Sequence, residues 1–348
     1  MIKIKSPTRV DLSGGTLDMW PLFNFVGPCR TINVAIDIWT VVEINPTPNS
    51  AKIIIESLDY QQKWEFENLS EFLNWKDKKI VLYQTVIDFF SQKIETGFQL
   101  TTKSESPIGG GLGGSSSLMI SLMKALSEMT KFKFKDIHHM VHCAHNIEAK
   151  ILMTPTGTQD YYPAVTGGLS ILDFSTEGIK DRVLDVSETP LVENFLLVYT
   201  GKTHHSGLNN FEVLKSCTQN DSQVLAALNE IKQISEDMYN AVRSNDWDKI
   251  PDLFQREYTQ RIKLTPAFTS PEIEHLSKLV IANGATGVKI CGAGGGGCVL
   301  VWVPVGQRQK VIEACEKEKF QCLKSKPVSP KDLQPSKWLM SCDLSESL

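Results

Sequence analysis

The chain has 348 residues, of which 41% are hydrophobic and 22% charged, and a formal net charge of −4. That length suits two domains of ordinary size. The slightly acidic balance leaves no global basic field for nucleic acid or an anionic membrane, and no apolar run approaches the roughly 18 residues needed to cross a bilayer.

The first seven residues, Met1-Ile2-Lys3-Ile4-Lys5-Ser6-Pro7, alternate apolar and charged side chains and predict a strand. A secretory leader would need a continuous apolar stretch there, so a cytoplasmic protein is expected. Residues 31–44 and 52–56 are rich in β-branched side chains and predict further strands. Residues 72–93 predict one helix, with Ile80, Tyr83, Ile87 and Phe90 at i, i+3, i+7 and i+10. Residues 98–103 return to strand. Beyond a glycine-rich turn, residues 115–129 predict a helix with Leu118, Leu122 and Leu126 on one face. Another helix is expected over 136–151, capped by Asp136 and buried through Ile137, Met140, Val141, Ala144 and Ile147. A strand follows at 167–174. The acidic, polar stretch 175–190 is the expected boundary between an N-terminal domain (1–185) and a C-terminal domain (190–348).

The second half opens on a strand at 195–199, followed by helical patterns at 222–243 and 250–262. Residues 270–283 begin with the helix-start signal Ser270-Pro271-Glu272 and end before Gly284. Residues 288–290 and 299–303 predict strands flanking a glycine loop. Strands and helices mix without regular βαβ alternation, which predicts an α+β fold. The eight cysteines, Cys29, Cys143, Cys217, Cys291, Cys298, Cys315, Cys322 and Cys342, form no CxxC pair. They read as plain buried residues, not a zinc ribbon or thioredoxin-like site.

The strongest chemical signal is Pro107-Ile108-Gly109-Gly110-Gly111-Leu112-Gly113-Gly114-Ser115-Ser116-Ser117. Clustered glycines let backbone approach an anion closely. The predicted helix start aims free N–H groups and the positive end of its dipole at the same anion. Serine hydroxyls there can bond phosphate oxygens or Mg²⁺. No Lys follows, so this is not a Walker A loop. The run also satisfies GxGxxG, which keeps a dinucleotide site open. A second glycine run, Gly287-Val288-Lys289-Ile290-Cys291-Gly292-Ala293-Gly294-Gly295-Gly296-Gly297-Cys298, leads into a strand and lacks the helix that a dinucleotide site requires.

The first loop resembles the phosphate loop of the galactokinase/homoserine kinase/mevalonate kinase/phosphomevalonate kinase (GHMP) superfamily, except that Gly114 stands where many members carry Ser. Ser6-Pro7-Thr8-Arg9-Val10-Asp11-Leu12-Ser13-Gly14-Gly15-Thr16-Leu17-Asp18 resembles that superfamily's first motif, and the second glycine run its third. The resemblance spans about residues 4–303. It implies a two-domain fold, with a ribosomal S5 domain 2-like N-terminal part and a ferredoxin-like C-terminal part, and ATP and Mg²⁺ as cofactors. Pro107, Gly109, Gly110, Gly111, Leu112, Gly113, Gly114, Ser115 and Ser116 would then hold the nucleotide. Arg9 would stabilise developing charge. Asp18, Gly15, Thr16, Gly292, Gly294 and Gly295 would face the substrate. The segments Asn146-Ile147-Glu148-Ala149 and Thr158-Gln159-Asp160-Tyr161-Tyr162-Pro163 are similar to those of heptose and related sugar kinases. By that likeness Ser115 and Glu148 would hold Mg²⁺, and Asp160 would be the catalytic base.

The first motif lacks the Gly-Glu-His of mevalonate kinases and galactokinases, so the resemblance is nearer the heptose and fucose kinases. It implies an ATP-dependent kinase for a sugar or sugar phosphate, with the anomeric hydroxyl favoured. A phosphorylated acceptor would need added basic residues, for which Arg30, Lys202 and Arg261 are candidates. Alternatives are a mevalonate- or phosphomevalonate-type kinase or decarboxylase of the same fold, a nucleotide-binding oxidoreductase, and a sugar-binding sensor. No nucleic-acid or membrane partner is expected, and the sequence leaves the oligomeric state open. His138, His142 and His145 have a zinc-compatible spacing but no evident fourth ligand. Gly201-Lys202-Thr203 lacks the leading glycine of a P-loop, because residue 196 is Leu; Lys202, His204 and His205 could still line a substrate pocket.

Overall fold

A computed structural model describes residues 1–203, 206–292, 294–333 and 337–340, with the side chains of 206–209 left out of the description. His204, His205, Ala293 and Cys342 therefore lie outside the described residues. In chain order the elements are β1 (Ile2–Ser13), α1 (Leu22–Phe25), β2 (Cys29–Thr47), β3 (Ile53–Ser57), β4 (Gln62–Phe66), α2 (Leu69–Asn74), α3 (Val81–Phe90), β5 (Gly97–Ser104), α4 (Gly114–Thr130), α5 (Ile137–Leu152), α6 (Tyr161–Thr166), β6 (Leu169–Ser175) and β7 (Gly178–Leu184). They continue with α7 (Pro190–Asn194), β8 (Phe195–Tyr199), α8 (Ser206–Thr218), α9 (Ser222–Arg243), α10 (Ile250–Leu264), α11 (Pro271–Ala282), β9 (Gly287–Ile290), β10 (Cys298–Trp302), α12 (Arg308–Lys317) and β11 (Gln321–Leu323).

The long strand β2, rich in Val and Ile, organises the first sheet. It pairs antiparallel with β1, β5 and β6, and the sheet runs β4-β3-β5-β2-β6-β7 with β1 also on β2. The expected boundary stretch thus contains a strand, β7, folded back on β6. Helix α4 packs on β1 and β2 and is flanked by α3, α5 and α6. It is buried nearly all round. Ser117 and Ser121 bond the Thr40 hydroxyl at 2.8 and 3.0 Å, and Lys124 Nζ donates to the Ala164 carbonyl at 2.8 Å. The polar face of α4 is therefore satisfied inside the protein, where an amphipathic reading would have solvated it.

The second sheet has the antiparallel order β11-β8-β10-β9. In chain order this is strand, helices, strand, strand, helix, strand, the ferredoxin-like arrangement. Helix α9 also packs on β2, and its Val224, Ala227, Leu228 and Ile231 join the core beneath the first sheet. Beyond β11 the chain returns to β2: Asp37 donates to the Lys326 carbonyl, and Val328 and Ala35 bond through their backbones.

The single helix expected over 72–93 is broken at 75–80. Trp75 is extended, while Asp77 accepts from the Trp64 indole at 3.1 Å and from the Lys79 amide at 2.9 Å. These bonds tie the break to β4 and carry Lys78 and Lys79 to the mouth of the cleft described next. The seven described cysteines are free thiols. Among the described residues no helix is long and apolar enough to cross a membrane, and no cluster of His, Cys, Asp and Glu could hold a metal ion unaided.

Candidate active site

A cleft of about 450 Å³ opens over the start of α4. Every predicted nucleotide residue, from Pro107 and Gly109 to Ser116, lines it. Gly109, Gly111 and Gly113 have φ of +65°, +74° and +68°, a region costly for any side chain. Gly113 is the N-cap of α4 and offers no side-chain cap, whereas α5, α9 and α11 are capped by Asp136, Asp221 and Ser270. The 17-residue α4 therefore presents its first amides and dipole end to the cleft. A Cβ on Gly114 would lie 3.1 Å from the Ser106 side chain, a tight fit at the position where Ser is common in the resembling family.

Asp160 stands at the start of α6, and both its oxygens accept from Arg9, Nε to Oδ1 at 2.7 Å and Nη2 to Oδ2 at 2.6 Å. Arg9 Nη1 donates to the Gly111 carbonyl at 2.6 Å, so one guanidinium joins the carboxylate to the glycine loop. The Arg9 side chain is 5% exposed and that of Asp160 is 23% exposed, so Asp160 is the member open to the cleft. Gly113 keeps this pair uncrowded, since a Cβ there would sit 3.3 Å from Arg9 Cγ and 3.4 Å from Asp160 Oδ2.

Glu148 is buried on α5 and lines the same cleft. Its Oε2 accepts from the Tyr161 hydroxyl and from Thr156 Oγ1 at 3.3 Å, and the Ser115 hydroxyl engages the same carboxyl. Burial, then the charge of Asp160, pushes the Glu148 carboxyl up despite these bonds. Burial likewise pushes the Tyr161 hydroxyl well up, which keeps it a donor. Asp18, 3% exposed, accepts from the Gln159 amide at 3.0 Å. Burial, with Asp160 adding like charge, pushes its carboxyl up to about 6. Gly157 leaves room for it, since a Cβ there would fall 2.0 Å from Asp18 Oδ2.

The expected substrate residues divide into two groups. Thr16, Asp18 and Gly292 line the cleft, but Gly15, Gly294 and Gly295 are not among its lining residues. A Cβ on Gly15 would meet Asp11 Oδ2 at 2.5 Å and Arg261 Nη1 at 2.8 Å, so Gly15 covers a buried charge cluster. A Cβ on Gly294 would meet the Phe268 carbonyl at 2.2 Å, and Gly295 N–H donates to that carbonyl at 3.1 Å. The second glycine loop instead braces the first: Cys298 N–H donates to the Gly110 carbonyl at 2.8 Å, and Gly292 abuts Gly111.

Sequence reasoning missed the cluster under the cleft. Lys289 Nζ donates to Asp11 Oδ2 at 3.0 Å and Glu257 Oε1 at 2.6 Å, while Arg261 reaches Thr16 Oγ1 at 3.3 Å and the Gly292 carbonyl at 2.8 Å. A signal was present: Asp11 and Lys289 each sit between apolar neighbours in a strand, Val10 and Leu12, Val288 and Ile290. Of the three candidate cations only Arg261 lines the cleft; Arg30 pairs with Asp173 and Glu236, and Lys202 with Glu272. The histidines of α5 are also accounted for. His138 bonds Tyr162 and Asp181, His142 bonds Asn146, and His145 bonds the Thr156 carbonyl.

These residues set uncapped helix-start amides between two carboxylates, an arrangement suited to holding a phosphate. Mg²⁺ fits, because it needs only one or two protein oxygens when phosphates complete its shell, and Glu148 and Ser115 would supply them at the start of α4. A Rossmann reading does not fit: β5 is antiparallel to β2, and α4 leads into α5 and not into a parallel strand.

The GHMP kinases N terminal domain matches residues 81–168, and the GHMP kinases C terminal domain matches 238–322. D-glycero-alpha-D-manno-heptose 7-phosphate kinase of Campylobacter jejuni is 27% identical over 91% of this chain and 94% of its own. The mevalonate kinase of Methanocaldococcus jannaschii is 26% identical over 83% of this chain and 90% of its own. Among solved structures, the galactose complex of Lactococcus lactis galactokinase superposes with a TM-score of 0.79 at 16% identity, covering 94% of each chain. With both domain patterns in order on the expected fold, the chain belongs to the GHMP kinase family.

Proposed function

We propose that this chain transfers the γ-phosphoryl group of ATP to a hydroxyl of a sugar or sugar phosphate, with the anomeric hydroxyl as acceptor. The observation that carries the sugar reading is Asp18, a buried carboxylate beside Asp160 in a cleft where Arg9 is already committed to Asp160. Two carboxylates there suit an acceptor rich in O–H donors. The names of the Campylobacter jejuni relative and the Lactococcus lactis galactokinase, both sugar kinases, support the same reading.

In this mechanism the amides at the start of α4 and the glycine loop hold the triphosphate. Ser115 and Glu148 would hold Mg²⁺, which when bound would offset charge on the phosphate oxygens. Asp160 keeps a second lone pair on each oxygen beyond those used by Arg9, so it can accept the acceptor hydroxyl and take its proton. Arg9 keeps Asp160 oriented toward the glycine loop and adds positive charge where the transferring group passes. Thr16 and Asp18 fix the sugar, giving the alignment that in-line transfer needs. We place the division between the two domains at 185–190, with the substrate bound in the cleft beside Thr16, Asp18 and Asp160.

A coupled assay of ADP release across free sugars, sugar phosphates and mevalonate tests the proposal. Turnover with a sugar or its phosphate is expected. A second reading, mevalonate kinase, has the Methanocaldococcus jannaschii relative in its favour; turnover with mevalonate alone would replace the sugar assignment.

A further inference from the structure

Asp160 and Tyr161 are consecutive residues at the start of α6, yet each is tied to a different part of the cleft. Asp160 is clamped by Arg9 from β1. Tyr161 is fully buried and sends its hydroxyl to Glu148 Oε2 on α5, with the Ser116 hydroxyl of α4 beside it. Thr156 donates to that same oxygen at 3.3 Å. Glu148 is thereby held at Oε2 from behind, while its carboxyl stays in contact with Ser115 and the cleft. A Phe at 161 would fill the same core. The hydroxyl adds a polar group whose burial is compensated by its bond to Glu148.

We propose that Tyr161 is a positioning residue that sets the Glu148 carboxylate for the metal-bound nucleotide, so that one backbone step fixes the spacing between the base and the metal carboxylate. The inference rests on the reading of Glu148 and Ser115 as metal oxygens. A carboxylate that bonds a metal through one oxygen is ordinarily oriented by a donor on the other, and loss of such a donor weakens metal affinity about 10–100-fold.

The test uses the full chain, adenylyl imidodiphosphate and Mn²⁺. Analogue affinity is measured calorimetrically with and without metal, and bound Mn²⁺ is read by electron paramagnetic resonance. For Tyr161→Phe we expect unchanged metal-free affinity and Mn²⁺ affinity weakened about 10-fold. Adding Tyr161→Phe to Glu148→Gln should weaken it no further. Wild-type Mn²⁺ affinity in Tyr161→Phe would overturn the proposal, as would an equal loss with and without metal, the signature of general damage. Thr156→Val tests the same carboxylate through a conservative change at a partly buried position; an effect larger than that of Tyr161→Phe would also overturn it. If wild-type protein itself binds the analogue without metal dependence, the metal reading of Glu148 fails as well, a result distinct from failure of Tyr161 alone.

Discussion

Two sets of buried charges, one beneath the cleft and one lining it, behave oppositely. Beneath the cleft, Asp11, Glu257, Arg261 and Lys289 form a closed group of two acids and two bases, drawn from β1, α10 and β9. Burial works against the Asp11 charge, but Lys289, then Arg261 and Arg9, overcome it and hold the carboxyl at about 2. In the cleft, Asp18 and Glu148 are also buried but pair with no cation among the described residues, and burial pushes both carboxyls up. A balanced group joins parts of the fold. In the proposed function, carboxylates left without a counter-charge await what binds: hydroxyl donors at Asp18 and a cation at Glu148.

The sharpest way to break this comparison is at Asp160. Asp160→Asn should lower kcat by about 10²–10⁴-fold while nucleotide-analogue affinity stays near wild type. Steady-state kinetics with calorimetry separates the two, and unchanged turnover would remove Asp160 from the mechanism. Next is the closed group. Lys289→Met leaves two buried acids facing one cation and should cost about 3–5 kcal/mol in urea unfolding. A loss near zero would mean that the cluster does not join the domains.

Asp18→Asn should act with the opposite sign. The folded carboxyl sits at about 6 against an ordinary 3.8, so the native state binds the proton more tightly than the unfolded chain. Stability therefore falls as pH rises from about 4 through about 6. Removing the charge should raise stability at neutral pH by about 2–3 kcal/mol, with the gain vanishing below about pH 4, while acceptor KM rises. Thermal unfolding across pH checks this, and a destabilised Asp18→Asn at neutral pH would contradict it. The smallest effect expected is at Gly113. Gly113→Ala places a side chain at φ +68° against Arg9 and Asp160 and should cost about 1–2 kcal/mol, again read by thermal unfolding.

What the sequence made legible was local. The run Pro107 to Ser117 announces its own chemistry, because adjacent glycines and a helix start are read from neighbouring residues. The same holds for α4, α5 and α9, whose boundaries lie close to their periodic patterns. What stayed hidden depends on residues far apart in the chain. Lys289 meets Asp11 only because β9 and β1 come together across the domains. Tyr161 meets Glu148 only once α6 folds back on α5. The break at 75–80 depends on a bond between Asp77 and Trp64 that helical periodicity does not encode. The second glycine run looked like a second ligand loop, yet most of its described glycines serve close backbone contacts with Phe268, Lys202 and the first loop.

The most direct measurement is a crystal structure of the chain with adenylyl imidodiphosphate and Mg²⁺. The account predicts phosphate oxygens bonded to the amides that open α4, metal at Ser115 and Glu148, and Asp160 facing the terminal phosphate. Phosphates bound away from Ser115, or an Asp160 turned from them, would contradict it.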